Sequence, residues 1–159
     1  MTSLEQEVGG LLRRKGLTLG LVESATGGLI SQLVTGVPGS SEYYKGSVTA
    51  YSNEVKIGLV GVKGETIKEY GAVSPQTAEE MARGGRRVLG VDVCLSDTGI
   101  AGPGGATAGK PVGLFYIGLS HKGGTFSRKH VFQDDREQNR HAVAQAALQW
   151  LKGYLMGLE

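Results

Sequence analysis

The chain has one cysteine, no long hydrophobic run and little net charge, and each absence excludes a class of protein. Cys94 is the only cysteine among 159 residues, which excludes an internal disulfide framework and favours a reducing compartment. No hydrophobic run approaches the roughly 18 residues of a membrane span, and the N-terminus is too polar for a signal peptide. We therefore expect a cytoplasmic protein without a membrane partner.

The charge and the histidines exclude further classes. A net charge of +2 is too small to predict nucleic-acid binding. The three histidines, His121, His130 and His141, lack the spacing of metal ligands, so we expect neither a metal nor a cofactor. The sequence also lacks Gly-x-Ser-x-Gly, which leaves a Ser-His-Asp hydrolase unsupported. A Ser–Lys arrangement is the available alternative.

Glycine, in contrast, is abundant: the chain has 27, spread without a repeat period. Gly104, Gly109 and Lys110 match the spacing of a phosphate-binding P-loop, but Pro111 stands where that motif requires Ser or Thr. The dinucleotide-binding fingerprint lacks its third glycine. The glycine-rich loop that begins at residue 98 therefore either lines a ligand site or forms a plain turn.

The hydrophobic periodicity predicts alternating helices and strands, followed by a hairpin. Helices are predicted over 3–15, 27–35, 53–60, from Ser74-Pro75 to about 89, and 135–154, and strands over 17–22, 46–51, 91–96, 112–120 and 125–132. This order indicates an α/β fold, a three-layer α/β/α sandwich around a mixed parallel and antiparallel sheet. With no linker or internal repeat, we expect a single domain over residues 1–159.

The most informative stretch is Glu23-Ser24-Ala25-Thr26-Gly27-Gly28, where a predicted strand stops and a helix begins. Its glycines allow a close backbone approach, and the free N–H groups of the following helix would point to the same place. A hydroxyl in that setting suits nucleophilic attack or phosphate binding. The alternative is that Ser24 or Thr26 only caps the helix.

Two cations are placed where their charge is unfavourable. Lys56 follows Tyr51 and lies in the first turns of a predicted helix, where the helix dipole disfavours the ammonium form. It is either a base at neutral pH or an ordinary surface lysine. Arg136 lies at the start of the last helix, which suggests that it binds a carboxylate or phosphate.

Several motifs, in order along the chain, resemble the CinA C-terminal domain family. They are Glu23-Ser24-x-Thr26-Gly27-Gly28, Gly39-Ser40-Ser41, Tyr51-Ser52-Asn53-Glu54-x-Lys56, Gly71-Ala72-Val73-Ser74, Gly99-Ile100-Ala101-Gly102-Pro103, Lys110-Pro111-Val112-Gly113 and Asp135-Arg136. No single motif is diagnostic of the family, but the whole set of motifs in this order is specific for it. The chain departs from the family pattern at Ala25, where Cys is frequent, and at Asp97-Thr98, where a Ser usually precedes Gly-Ile.

The resemblance implies an amidohydrolase that converts nicotinamide mononucleotide to nicotinate mononucleotide and ammonia, in pyridine-nucleotide recycling. It implies Ser24 as the nucleophile, Lys56 as the base and Tyr51 as the residue that orients the base or relays the proton. The expected substrate-binding residues are Thr26, Gly27, Gly28, Ser41, Thr98, Gly99, Gly102 and Arg136.

The resemblance also leaves a second functional class open. Some CinA-like proteins are associated with competence and DNA damage, so a non-catalytic nucleotide-binding domain is the alternative. The presence of both Ser24 and Lys56 favours the enzyme. Many CinA proteins carry an N-terminal nucleotide-hydrolysing domain, which we expect to be absent here. The expected partner is a small-molecule nucleotide, and a homo-oligomer is compatible with the sequence.

Overall fold

Five strands form one sheet in the order β2-β1-β3-β4-β5 in a computed structural model that describes residues 1–158. The strands are β1 (Leu19–Glu23), β2 (Tyr44–Thr49), β3 (Val93–Gly99), β4 (Leu114–His121) and β5 (Gly124–Val131). The helices are α1 (Leu4–Lys15), α2 (Leu29–Thr35), α3 (Asn53–Gly58), α4 (Gly64–Tyr70), α5 (Pro75–Leu89) and α6 (Arg136–Leu155), with a 3-10 helix at Ser40–Glu42. No helix among these residues combines the length and apolar character needed to cross a membrane.

The sheet is mixed, as predicted. β1 pairs in parallel with β2 on one side and β3 on the other, while β4 pairs antiparallel with both β3 and β5. The hairpin between β4 and β5 turns at Lys122-Gly123, inside the predicted turn.

Helices cover both faces of the sheet. Leu21 and Leu95, which are register partners, belong to a core shared with α1, α2 and α6. Their neighbours Val22 and Cys94 belong to a second core on the opposite face, where Met81 of α5 packs. Because successive strand residues point to opposite faces, both faces are buried, which confirms the three-layer α/β/α sandwich.

Local signals set most of the helix ends. Ser3 forms a capping box with Gln6 at the start of α1, and Gly16 ends that helix in the left-handed conformation. Ser52 caps α3 and Ser74 caps α5, each by accepting a backbone N–H of the first turn.

The structure corrects three expectations. β3 reaches Gly99 rather than residue 96, so Asp97 and Thr98 belong to the strand. α4 occupies a segment for which only a loop was expected. Val88, expected on the buried face of α5, is 49% exposed. The face of α5 that packs on the sheet includes Gly85, where a Cβ would lie 2.3 Å from a methyl carbon of Val22.

The three parallel strands end at the same edge of the sheet. Ser24 follows β1, Tyr51 lies just beyond β2, and a loop over residues 100–113 follows β3. Ligands of α/β sheets bind outside the carboxyl ends of the strands, so this edge is the place to look for a site.

Candidate active site

Ser24 and Lys56 form a hydrogen-bonded pair at this edge. The Lys56 Nζ lies 2.9 Å from the Ser24 Oγ and 3.0 Å from the backbone carbonyl oxygen of Tyr51. Ser24 is 7% exposed and Lys56 is 2% exposed. An uncharged lysine in this position can accept the proton of the serine hydroxyl, which is one way to activate a serine as a nucleophile.

The surface-lysine alternative for Lys56 is therefore wrong. Burial lowers the pKa of the Lys56 ammonium below its ordinary value, and the nearby Asp97 carboxyl opposes that shift. The sequence predicted the direction from the helix dipole, whereas the largest cause is desolvation of the charged form. The result is a lysine that gives up its proton more readily than a solvated one.

Tyr51 contributes its backbone to this pair. Its carbonyl oxygen accepts from Lys56, while the residue itself is 64% exposed and lines the pocket in front of Ser24. The carbonyl contact holds the Lys56 side chain in place, but the expectation that the Tyr51 side chain orients the base stays a prediction. The expectation that its phenol relays a proton stays a prediction.

The turn after β1 is organised by Glu23 and not by a hydroxyl cap. The buried Glu23 carboxylate accepts the backbone N–H groups of Gly28, Ile30 and Ser31 at 2.9–3.2 Å. Gly28 is the N-cap residue of α2 and makes no side-chain cap, so the simple N-cap interpretation of Ser24 or Thr26 is wrong. Because Glu23 occupies these N–H groups, they do not point at a ligand as expected.

Thr26 is likewise occupied inside the protein. Its fully buried hydroxyl lies 2.7 Å from Glu23 Oε1 and also contacts Asp97 Oδ2. The Asp97 carboxyl accepts the backbone N–H groups of Thr26 and Ser24 at 3.1 and 3.3 Å. Thr26 thus holds the turn in shape beneath Ser24 and does not line the pocket.

A pocket of about 290 Å³ opens in front of the Ser24–Lys56 pair. Four expected substrate-binding residues line it, Thr98, Gly99, Gly102 and Arg136. The Thr98 hydroxyl donates to the Ala72 carbonyl at 2.7 Å. Arg136 is exposed and donates one Nη1 hydrogen to the Gly102 carbonyl at 2.7 Å, which fixes the guanidinium at the pocket while its other N–H groups remain to bind an anion.

The remaining expected binding residues lie elsewhere. Gly27 and Gly28 line a neighbouring depression beside Arg140. Ser41 lies in the 3-10 helix before β2, at the opposite edge of the sheet from Ser24, and does not line the pocket. Among residues 1–158, no group of three or more His, Cys, Asp or Glu side chains could hold a metal ion.

Two further side chains of α6 shape the site. Arg140 donates to the carbonyl oxygens of Ala25 and Thr26, both at 2.9 Å. The buried Asn139 donates to the Ala101 carbonyl at 3.1 Å. Sequence reasoning assigned neither a role, because both contacts join segments that lie far apart in the chain.

Sequence reasoning also missed the buried carboxyls of Glu23 and Asp97. The signal that could have found them is an acidic residue directly after each of two predicted apolar strands, 17–22 and 91–96. Burial of an unpaired carboxylate is costly, so such a residue needs donors, which the turn between β1 and α2 supplies here.

Known proteins are similar to this chain in sequence and in fold. A family model described as the CinA C-terminal domain matches residues 1–155. A Halothermothrix orenii protein that is named a competence-damage inducible protein is 53% identical to this chain over 155 residues. The match covers 97% of this chain and 38% of that protein. The solved structure of a competence/damage inducible protein from Agrobacterium tumefaciens is 36% identical with a TM-score of 0.84, covering 95% of this chain and 97% of that one.

A CinA superfamily protein from Klebsiella pneumoniae, 27% identical, has a TM-score of 0.94 and covers 97% of this chain and 96% of its own. The chain spans about two fifths of the length of the curated relatives it matches. Because the family match extends over nearly the whole chain, and the solved relatives share its five-stranded fold, the chain belongs to the CinA C-terminal domain family.

Proposed function

We propose that this protein hydrolyses the carboxamide of nicotinamide mononucleotide to nicotinate mononucleotide and ammonia. The observation that carries the proposal is the 2.9 Å contact between Ser24 Oγ and the Nζ of a buried lysine, at a pocket of small-molecule size. Amide hydrolysis needs a nucleophile, a proton acceptor and a site for the developing oxyanion.

Lys56 suits the role of proton acceptor in its neutral form. A neutral amine donates one hydrogen to the Tyr51 carbonyl and accepts the Ser24 hydroxyl proton through its lone pair. As Ser24 Oγ bonds to the carboxamide carbon, its proton passes to Lys56 Nζ. Lys56 then protonates the leaving nitrogen, ammonia departs, and water releases nicotinate mononucleotide from the Ser24 ester by the same proton transfers in reverse.

A backbone N–H and an arginine suit the two negative charges that the site would bind, the developing oxyanion and the phosphate of the substrate. The N–H of Ala25 directly follows Ser24 at the pocket and has no hydrogen-bond acceptor among residues 1–158, so we assign it to the oxyanion. Arg136 stands at the same pocket with unused donors, so we assign it to the phosphate. Both assignments follow from charge and position.

The alternative function is a non-catalytic nucleotide-binding domain. The names of these relatives refer to competence and damage and state no reaction. A domain that only binds a nucleotide has no need of a lysine desolvated against a serine hydroxyl, which costs free energy. This cost favours the enzyme.

The experiment is an ammonia-release assay on the purified chain with nicotinamide mononucleotide, nicotinamide riboside, nicotinamide and NAD as separate substrates. We expect ammonia release fastest from nicotinamide mononucleotide and unchanged by a strong chelator. Binding of the mononucleotide without ammonia release would support the non-catalytic alternative. Ammonia release that is fastest from free nicotinamide would contradict the assignment of a phosphate site.

A further inference from the structure

The Ser24 turn, residues 24–27, has four backbone N–H groups, and three of them donate inside the protein. The N–H groups of Ser24 and Thr26 donate to the Asp97 carboxyl at 3.3 and 3.1 Å. Gly27 donates to the Ser24 carbonyl at 3.1 Å, which closes the turn. Of the four, only the Ala25 N–H has no acceptor among residues 1–158. Its direction therefore depends on how firmly the neighbouring peptides are held.

The carbonyl oxygens in the middle of this turn are held by one side chain, the Arg140 guanidinium of α6. Its Nε donates to the Ala25 carbonyl and its Nη2 to the Thr26 carbonyl, both at 2.9 Å. The peptide between these two residues is fixed at both ends, because its C=O accepts from Arg140 while its N–H donates to Asp97. A peptide is planar, so hydrogen bonds on its two sides restrain its rotation.

Arg140 extends from a firmly held part of α6. The fully buried Asn139 side chain bonds the N–H and the carbonyl of Asp134 at 3.1 and 2.9 Å and the Ala101 carbonyl at 3.1 Å. Arg140 is partly buried and forms no ion pair with a carboxylate among residues 1–158. Partial burial of a charge that no carboxylate neutralises costs free energy, so stabilisation of the fold is a poor explanation for this arginine.

We propose that Arg140 is a positioning residue for the oxyanion site: it holds the Ser24 turn in the shape that leaves the Ala25 N–H free at the pocket. This inference rests on the proposed function. Two donors of one planar guanidinium fix two successive carbonyls relative to each other. The ammonium of a lysine does not provide this fork, so a positive charge alone should not replace Arg140.

This role predicts an effect on kcat and not on KM. The oxyanion forms only as Ser24 bonds to the carboxamide, so a displaced Ala25 N–H weakens the transition state and not the bound substrate. We expect Arg140→Ala and Arg140→Lys each to lower kcat for nicotinamide mononucleotide by about tenfold to a hundredfold, with little change in KM. The acidic limb of the pH profile should stay at the wild-type pH, because Lys56 is unchanged.

The matched control is Arg86→Ala. Arg86 is also partly buried and bonds a backbone carbonyl, that of Asp92 at 3.0 Å, just before β3 at the other edge of the sheet. We expect wild-type kcat and KM in this variant. A raised KM with unchanged kcat in Arg140→Ala, or near wild-type kcat in Arg140→Lys, would overturn the proposal.

Amide hydrogen exchange of the whole chain, followed by NMR, tests the turn without the reaction. The Thr26 and Gly27 N–H groups are bonded inside the protein, so their exchange rates report how often the turn opens. In Arg140→Ala we expect both to exchange about tenfold faster, the effect of losing about one hydrogen bond. The Ile30 N–H, which the Glu23 carboxylate holds, should keep its rate. Unchanged exchange at Thr26 and Gly27 would overturn the proposal.

Circular dichroism shows whether each variant folds. If Arg140→Ala does not fold, the same exchange and kinetic measurements on Arg140→Lys decide the question, because that variant keeps the charge and most of the side chain. If the wild type releases no ammonia, the proposed function fails, while the exchange rates still decide whether Arg140 holds the turn.

Discussion

At the scale of single residues, the proposed chemistry depends on how burial changes the protonation of Lys56. Desolvation lowers the pKa of its ammonium group, and the Asp97 carboxyl acts in the opposite direction. The proposed reaction needs the neutral amine, so we expect kcat/KM for deamidation to fall as the pH is lowered through the Lys56 pKa. Because kcat/KM reports ionisations of the free enzyme, the acidic limb of its pH profile should show one ionisation, that of Lys56 in the free enzyme.

We expect Lys56→Arg to lose activity as completely as Lys56→Ala. Arginine keeps the positive charge but does not release a proton at accessible pH, so it cannot accept the Ser24 proton. The measurement is the pH profile of kcat/KM for both variants, with circular dichroism as a check on folding. If Lys56→Arg retained most of the wild-type rate, Lys56 would act as a fixed positive charge and not as a base.

The sequence singled out Ser24, Lys56 and Arg136, which the structure places at one pocket, but it did not indicate the buried residues that hold them in position. Asp97 was recognised only as a departure from the family pattern, and its burial against Thr26 depends on the register of β1 and β3. The paired residues of these strands, such as Leu19 and Val93, lie far apart in the chain, and their register is set by the packing of the whole sheet. A single sequence carries no local signal for it.

At the scale of elements, α2 is held by a side chain from the preceding strand. The Glu23 carboxylate accepts three N–H groups from the turn and first residues of this seven-residue helix. Helices this short are marginal without tertiary support. The carboxylate also fixes the turn that carries Ser24.

We expect Glu23→Gln to lower the free energy of unfolding by about 1.5–3 kcal/mol, the usual effect of losing hydrogen bonds to a charged group. The measurement is urea-induced unfolding at neutral pH. Glu42→Gln is the matched control, since its ion pair with Arg13 is exposed and should contribute no more than about 1 kcal/mol. Equal losses in the two variants would contradict the role given to Glu23.

The helix α4, which the sequence did not predict, is also held by a side chain from another element. Its N-cap residue Lys63 makes no side-chain cap, and the Glu80 carboxylate of α5 accepts the Lys63 N–H and the Thr66 hydroxyl instead. Because the capping groups come from another element, the local sequence carries no signal for the start of this helix. Where the caps are local, at Ser52 and Ser74, the sequence predicted the helix starts.

At the scale of the whole molecule, the pocket is assembled from segments that the fold brings together. The helix α6 contributes Arg136, which bonds the Gly102 carbonyl of the loop after β3, across from the Ser24 turn after β1. The pattern of helices and strands predicted three layers, but not the strand order, which decides that these segments meet.

We expect Arg136→Ala to raise KM for nicotinamide mononucleotide by about tenfold to a hundredfold, because a charge-assisted contact contributes roughly 1.5–3 kcal/mol. KM for the riboside, which lacks the phosphate, should change little. Lys45→Ala, which removes one positive charge from an exposed position of β2, is the control in the same assay. Equal effects on nucleotide and riboside would show that Arg136 does not bind the phosphate.

Ser24 is tested as the nucleophile by measuring ammonia release from nicotinamide mononucleotide by Ser24→Ala, together with binding of the same compound by calorimetry. We expect the variant to fold, to bind the mononucleotide with near wild-type affinity and to release almost no ammonia, because only the attacking oxygen is removed. Near wild-type turnover in Ser24→Ala would contradict the claim that Ser24 is the nucleophile.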